Sequence, residues 1–293
     1  MILNEGKGSN SEWPETKVGF PGKLYAKKSV FSFGDKLIAI GTNISSIDEN
    51  NPVQTNLFQS LLIDPKIPLY TSNKTITKFP VKTELASDVK KDNWVVDPYG
   101  NGYYILSNTA VQLKKEHQHS YHNKYSINTG RMNAKGKGAK ETEADYAAAW
   151  IDHGSAPKNA NYQYVIYPFL KEEDQKKFEE KAKTDDSYSI IRADSIAHIV
   201  SDNKSNTTAY AVFEAKKKLD SGYLTEVSEP SLIMVRKDSD KNITISAVQP
   251  DLNFPEYQPN KYRNYSTPVS LTIISLECKD GFPRVFKMTK LGI

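Results

Sequence analysis

Short runs of alternating or continuous apolar residues recur along this chain, each closed by Gly, Pro, Asn or Asp. A strand shows its side chains to two faces with period two, whereas a surface helix needs an apolar stripe at three and four residues, so this punctuation selects β structure. "SVFSFGDKLIAIG" (29–41) is two such runs around Gly34-Asp35, and glycine at the first central position suits a type II′ hairpin turn. "NWVVDPYGNGYYILSN" (93–108) repeats the plan with a longer Asp-Pro-Tyr-Gly-Asn-Gly connection, rich in residues that tolerate turn conformations. "AAAWIDHGSAPKNANYQYVIYPF" (147–169) reads as strand, polar loop, strand, with Tyr162, Tyr164 and Ile166 facing one way and Gln163, Val165 and Tyr167 the other. Aromatic residues on both faces predict that both are covered.

Strands resume in "SIIRADSIAHIVSD" and "TTAYAVFEA", and "SLIMVRKDSDKNITISAV" (231–248) is a hairpin across a charged turn. Only "FLKEEDQKKFEEKAKTDD" (169–186) reads as a helix, with Glu172 to Lys176, Glu173 to Lys177 and Glu179 to Lys183 at i,i+4. Its thin apolar face predicts a place on the surface. The expected fold is all-β: a large antiparallel multi-sheet β-sandwich, or super-sandwich, followed by a smaller β-sandwich, with one short surface helix. "KKLDSGYLTEVSEP" interrupts the pattern, so residues 1–224 are expected to form the large sandwich and 225–293 a smaller C-terminal β domain. No fixed-period repeat is visible.

A chain of 293 residues buries a sizeable core, as one large all-β unit or two smaller domains. Apolar residues at 38% are few, but 17 Tyr and 11 Phe supply large side chains for burial and argue against disorder. A net charge of +4 is too small to name a polyanionic partner, and nothing here calls for nucleic acid. The lone Cys278 excludes an intramolecular disulfide, which fits a cytosolic protein and equally an exported bacterial one. No run approaches a membrane span, and the first residues lack the basic start and apolar stretch of a signal peptide. The protein is expected to stay where it is made or to carry its export signal on a part not present here.

Candidate sites are few. "HQHSYH" (117–122) puts His117 and His119 on one strand face, and with His122 it suggests a metal site; without a close acidic or cysteine ligand, a polar strand end is the preferred reading. "RMNAKGKGAK" (131–140) threads four basic residues with glycine, a cationic loop able to touch sulfates, carboxylates or phosphates, and more simply a solvated loop. Six Asn-x-Ser/Thr matches, beginning with Asn43 and Asn73, follow from composition. There is no nucleophile elbow, P-loop, dinucleotide fingerprint or His-Glu-x-x-His helix, and no cofactor or metal is expected. By spacing alone the chain is a soluble all-β protein suited to carbohydrate binding.

Longer strings say more. "NEGKGSNSEWPETKVGFPGKLYAKKSVFSFGDKLIAIGTNI" resembles the start of the large β-sandwich in the polysaccharide lyases that degrade glycosaminoglycans, specifically the chondroitin sulfate ABC lyases. "TNLFQSLL", "AAAWIDHGSAPKNANYQYVIYP" and "EVSEPSLIMVRKDSDKNITISAVQPDLN" continue the likeness in the same order, over roughly residues 1–272. After Thr272 the tail departs from it, which implies a truncated or altered C-terminus.

The resemblance implies a modular enzyme with an N-terminal carbohydrate-binding-like sandwich, a central helical toroid and a C-terminal stack of antiparallel sheets, of which this chain is most of the last part. Such enzymes cleave next to a uronic acid by β-elimination, removing the C5 proton and expelling the 4-linked oxygen. That chemistry needs the uronate carboxylate neutralised, a base for the proton and an acid for the leaving oxygen. In the family a His, a Tyr and an Arg from the helical domain supply most of this, and a Glu at the start of the sandwich orients them. Glu5, in "NEG", matches that glutamate. None of His117, His119, His122, His153 or His198 sits in a matching motif. The implied partners are a glycosaminoglycan, chondroitin or dermatan sulfate, and the helical catalytic domain. The implied location is the periplasm or the medium of a bacterium, and the chain alone is expected to be catalytically incomplete. The alternative is a non-catalytic module that binds acidic polysaccharides.

Overall fold

A computed structural model describes residues 1–4, 23–88, 90–106, 109–120, 142–219, 221–238, 243–249, 272–278 and 284–288. The first ten strands in chain order are β1 (Ile2–Asn4), β2 (Tyr25–Phe33), β3 (Lys36–Ser45), β4 (Pro52–Leu61), β5 (Leu69–Thr71), β6 (Thr75–Ile76), β7 (Val81–Leu85), β8 (Asn93–Val96), β9 (Gly102–Ile105) and β10 (Val111–Ser120). There follow β11 (Thr142–Ser155), β12 (Ala160–Tyr167), helices α1 (Glu172–Gln175) and α2 (Phe178–Lys183), β13 (Tyr188–Ala193), β14 (Ala197–Asp202) and β15 (Thr207–Val212). The described chain ends with β16 (Leu224–Val227), β17 (Ser231–Lys237), β18 (Ile243–Val248), β19 (Thr272–Cys278) and β20 (Arg284–Met288).

These strands form four antiparallel sheets. The eight-stranded one runs β1-β2-β3-β12-β9-β8-β5-β6, the four-stranded one β4-β11-β10-β7, the five-stranded one β13-β14-β15-β17-β18, and the three-stranded one β16-β19-β20. The sheets stack, because period-two alternation gives the central strands two apolar faces. Tyr162 and Tyr103 of the eight-stranded sheet pack with Phe58, Leu113 and Ile151 of the four-stranded sheet. On its opposite face Ile38, Val165 and Tyr167 pack against Val200, Ala209 and Ala211 of the five-stranded sheet. Ile199, Tyr210 and Ile233 then close a third layer against Leu224 and Val227. The β12 alternation read from sequence is met on both faces, and the all-β multi-sheet fold is as expected.

Local signals act where they are self-contained. Phe33 pairs with Lys36 around a two-residue loop in which only Gly34 takes a positive φ, 54°, as a type II′ turn requires. Asp97 holds the β8–β9 turn by accepting the N–H groups of Tyr99 at 2.8 Å and Asn101 at 2.9 Å. The two strands of the 147–169 segment do not pair with each other: β11 joins the four-stranded sheet and β12 the eight-stranded one.

The expected surface helix needs correcting. The segment breaks into two short helices at Lys176–Lys177, and Phe178 of α2 is fully buried with Ala182 in the second apolar layer. An apolar face of two residues one turn apart is thin, yet one phenylalanine suffices to insert it. Of the expected i,i+4 pairs, Glu179–Lys183 closes at 2.7 Å.

The expected division at 224 falls between β15 and β17, which are hydrogen-bonded neighbours in the five-stranded sheet. The tail that departs from the resemblance supplies β19 and β20, and β19 pairs with β16.

Candidate functional site

Three-residue β1 runs along the edge of the eight-stranded sheet, with Asn4 opposite Tyr25. Glu5 comes next in the chain and lies outside the described residues. Tyr25 also pairs with Ser45, so the Asn4 end of β1 lies at the same end of the sheet as the β3–β4 connection. That rim is tied down: Ser46 N–H donates to Pro157 O at 3.0 Å, and Ala156 N–H donates to Asp48 O at 2.8 Å. Asp48 accepts the side-chain amide of Asn51 at 2.8 Å and the backbone N–H of Asn50 at 2.9 Å, which hold its carboxyl below the usual range.

The histidines are dispersed. His198 is fully buried between two sheets, with Nδ1 2.7 Å from Ser29 Oγ and Nε2 2.9 Å from Thr42 Oγ1. Burial pushes its pKa down to about 4, assisted by the positive charges of the Met1 amino group and Lys27, so the ring is neutral. A ring with both nitrogens spent on hydroxyls and no exposed surface holds a sheet interface together and handles no substrate proton. His153 is half-buried, with Nε2 2.9 Å from Thr55 Oγ1 and its ring near-parallel to Tyr162 at 6.2 Å. Burial, then the charge of Lys28, lowers its pKa.

His117 corrects the sequence reading, which found no acidic group close to it. Register sets β10 beside β11, and His117 Nδ1 lies 2.8 Å from Asp145 Oδ1, its Nε2 3.5 Å from Glu143 Oε2. These carboxylates, Asp145 first, raise its pKa. His119 lies on the same exposed strand end, opposite Glu143. No group of three or more His, Cys, Asp or Glu among the described residues is arranged to hold a metal ion. His122 and the 131–140 basic loop fall outside the described residues.

A cleft of about 330 Å3 opens between α2, β9 and β13, with Asp92, Tyr104, Gln163, Asp185 and Tyr188 on its walls. Tyr104 donates to Asp92 at 3.0 Å and Tyr167 to Asp185 at 2.8 Å, so its carboxylates are already engaged. Sequence reasoning missed a different feature, the outward positions of β11. They read Ala144, Tyr146, Ala148, Trp150 opposite a buried row of Ala147, Ala149 and Ile151, an alternation that was visible in the sequence.

Comparison with known proteins reaches further than the local geometry. The family model described as polysaccharide lyase family 8, super-sandwich domain, matches residues 12–179, so Glu5 precedes the matched stretch. A chondroitin sulfate ABC endolyase of Proteus vulgaris is 29% identical over 262 residues, covering 89% of this chain and 23% of the relative. A chondroitin sulfate ABC exolyase of the same organism is 30% identical over 232 residues, 78% of this chain and 20% of the relative. The chain thus spans about a fifth to a quarter of the length of these relatives. A solved chondroitinase AC lyase structure superposes with a TM-score of 0.65 at 19% identity, covering 92% of this chain and 35% of that one, a likeness of fold.

Proposed function

This chain belongs to polysaccharide lyase family 8, and we propose that it is the sandwich portion of a glycosaminoglycan lyase that cleaves chondroitin or dermatan sulfate by β-elimination at the uronic acid. The observation that carries this reading is the likeness to the chondroitin sulfate ABC endolyase over 89% of the chain. Glu5, which follows β1 in the chain, is its one catalytic contribution. The proton-transfer and carboxylate-neutralising groups, a His, a Tyr and an Arg, come from a helical domain that this stretch does not include. Groups that act as a unit lose most of their rate when separated, so the stretch by itself turns over no substrate. The polymer is extracellular, and the complete enzyme works in the periplasm or outside the cell.

The test is an assay of the purified chain on chondroitin sulfate and dermatan sulfate, read by the ultraviolet absorbance of the unsaturated uronate. No product is expected from the chain alone, and product is expected when the helical domain of the relative is fused ahead of Met1. Turnover by the chain alone at the rate of a complete lyase overturns the division of labour; a folded fusion without product overturns the lyase reading. A second reading, a module that binds polysaccharide without cleaving it, is favoured by the ring-and-amide face of the four-stranded sheet.

A further inference from the structure

The outward face of the four-stranded sheet takes no part in the lyase reading above. Register places Gln112 and Asn56 on either side of Trp150, and Lys114 and Gln59 on either side of Ala148. Four residues farther along β11 stands Tyr146. A strand advances about 3.3 Å per residue, so the two rings lie about 13 Å apart with only an alanine between them. Side chains at the margin of the face, such as Gln59, are exposed, and Tyr146 and Trp150 are half-buried. The eight-stranded sheet covers only the opposite face. At the centre, Trp150 Nε1 is buried without a hydrogen-bond partner among the described residues, a donor that folding normally leaves satisfied.

The composition of the face selects its occupant. Protein-binding faces concentrate apolar and arginine anchors, whereas here Trp150 stands between Gln112 and Asn56, and Tyr146 between Glu116 and Leu61. The charges of the face balance rather than accumulate: the cations Lys82 and Lys114 stand among the carboxylates Glu84 and Glu116, with Lys114 paired to Glu116 and Gln112 donating to Glu84. The face therefore presents little field to a polyanion. Gln112 and Gln59 spend donors on Glu84 and Gln118, which leaves their amide oxygens to accept from sugar hydroxyls, and aromatic rings cover the C–H faces of pyranoses.

We propose that this face is a second, non-catalytic polysaccharide-binding surface on which a sugar chain lies along β11, with one pyranose on Trp150 and another on Tyr146. The inference rests on the carbohydrate reading of the chain but not on Glu5 or on turnover. The face belongs to a different sheet from β1. Two consequences distinguish it from a cationic site. Binding depends on chain length, because a single sugar spans one ring only. Binding resists salt, because no counterions are released.

Unsulfated chondroitin hexasaccharide is titrated onto the isotope-labelled chain at low and high salt, following tryptophan indole N–H resonances. The resonance lost in W150F is expected to shift in the wild type, with affinity changing less than about twofold with salt against the steep fall of phosphate-type binding. W150A and Y146A are each expected to weaken binding about tenfold, equivalent to about 1.4 kcal/mol, with circular dichroism confirming that each folds. Y146A and the indole shift decide the matter if W150A does not fold. The proposal is overturned if the hexasaccharide does not bind, if both variants bind as the wild type does, or if high salt abolishes binding. A chain with no lyase activity still passes this test, whereas turnover in a fusion whose binding ignores both substitutions fails it.

Discussion

Lys36 Nζ lies 2.9 Å from Asp185 Oδ2, joining the β2–β3 hairpin to the chain ahead of β13, and both side chains are largely buried, at 2% and 13% exposure. Burial alone would raise the Asp185 pKa; hydrogen bonds from Ser187, Lys36 and Tyr167 outweigh it and hold the carboxyl well below its usual range. A carboxylate with a depressed folded pKa contributes stability that is present above its unfolded pKa and lost as pH falls towards the folded one. Removing one partner strands a buried charge, so K36M is expected to cost about 3–5 kcal/mol in urea unfolding. A K36M/D185L double variant recovers part of that loss, and D185N flattens the acid limb of the stability curve. Equal midpoints for K36M and the wild type would refute the role of the pair.

His198 works in the opposite sense. Its folded pKa of about 4 lies below the unfolded value of 6.5, so protonation favours the unfolded chain. Stability is expected to decline as pH falls from about 6.5 to about 4 and to gain no further loss from this group below that. H198Q, which keeps a donor towards Thr42, lowers stability at neutral pH but removes that part of the acid decline. Melting temperatures of the two proteins across this window are the measurement, and parallel curves would exclude His198 as a source of the slope.

The approach of β9 to α2 depends on a missing side chain. A Cβ on Gly102 would stand 2.6 Å from the ring of Phe178 and 2.7 Å from Leu170, both in the buried layer. G102A is therefore expected to displace α2 and destabilise by about 1–3 kcal/mol, the usual range for overpacking. F178A empties the site and costs about 3–5 kcal/mol. Chemical denaturation orders the variants, and a G102A as stable as the wild type would mean that α2 yields freely.

What was legible in the sequence was what a few adjacent residues decide. Gly34-Asp35 makes its turn from local torsions, and the β12 alternation shows both apolar faces. Nothing local marks Lys27, Lys36 and Lys115 for burial, yet all are buried; Lys115 donates its ammonium to the carbonyls of Pro65 at 2.7 Å and Ile67 at 2.8 Å, acceptors 50 and 48 residues away. The acidic neighbours of His117 likewise arrive only with β11. Pairing across such separations is set by the stacking of whole sheets, which no short window contains. Glu5 was legible only through resemblance, because a single carboxylate in a polar segment has no spacing signature.

Glu5 therefore carries the sharpest functional prediction. Its assigned work is to orient the His, Tyr and Arg, so its effect exists only where those groups are present. In the fusion with a helical domain, E5Q is expected to lower kcat by roughly 10²-fold, the lower end for a disrupted acid–base arrangement, while KM changes little because the substrate's sugar contacts remain. E5D, which keeps the charge but shortens the reach, falls between. In the chain alone the same substitutions leave product at zero and leave hexasaccharide binding unchanged, since they alter neither Tyr146 nor Trp150. Equal kcat for E5Q and the wild-type fusion would remove Glu5 from the mechanism, and a rise in KM without loss of kcat would make it a substrate-binding group instead.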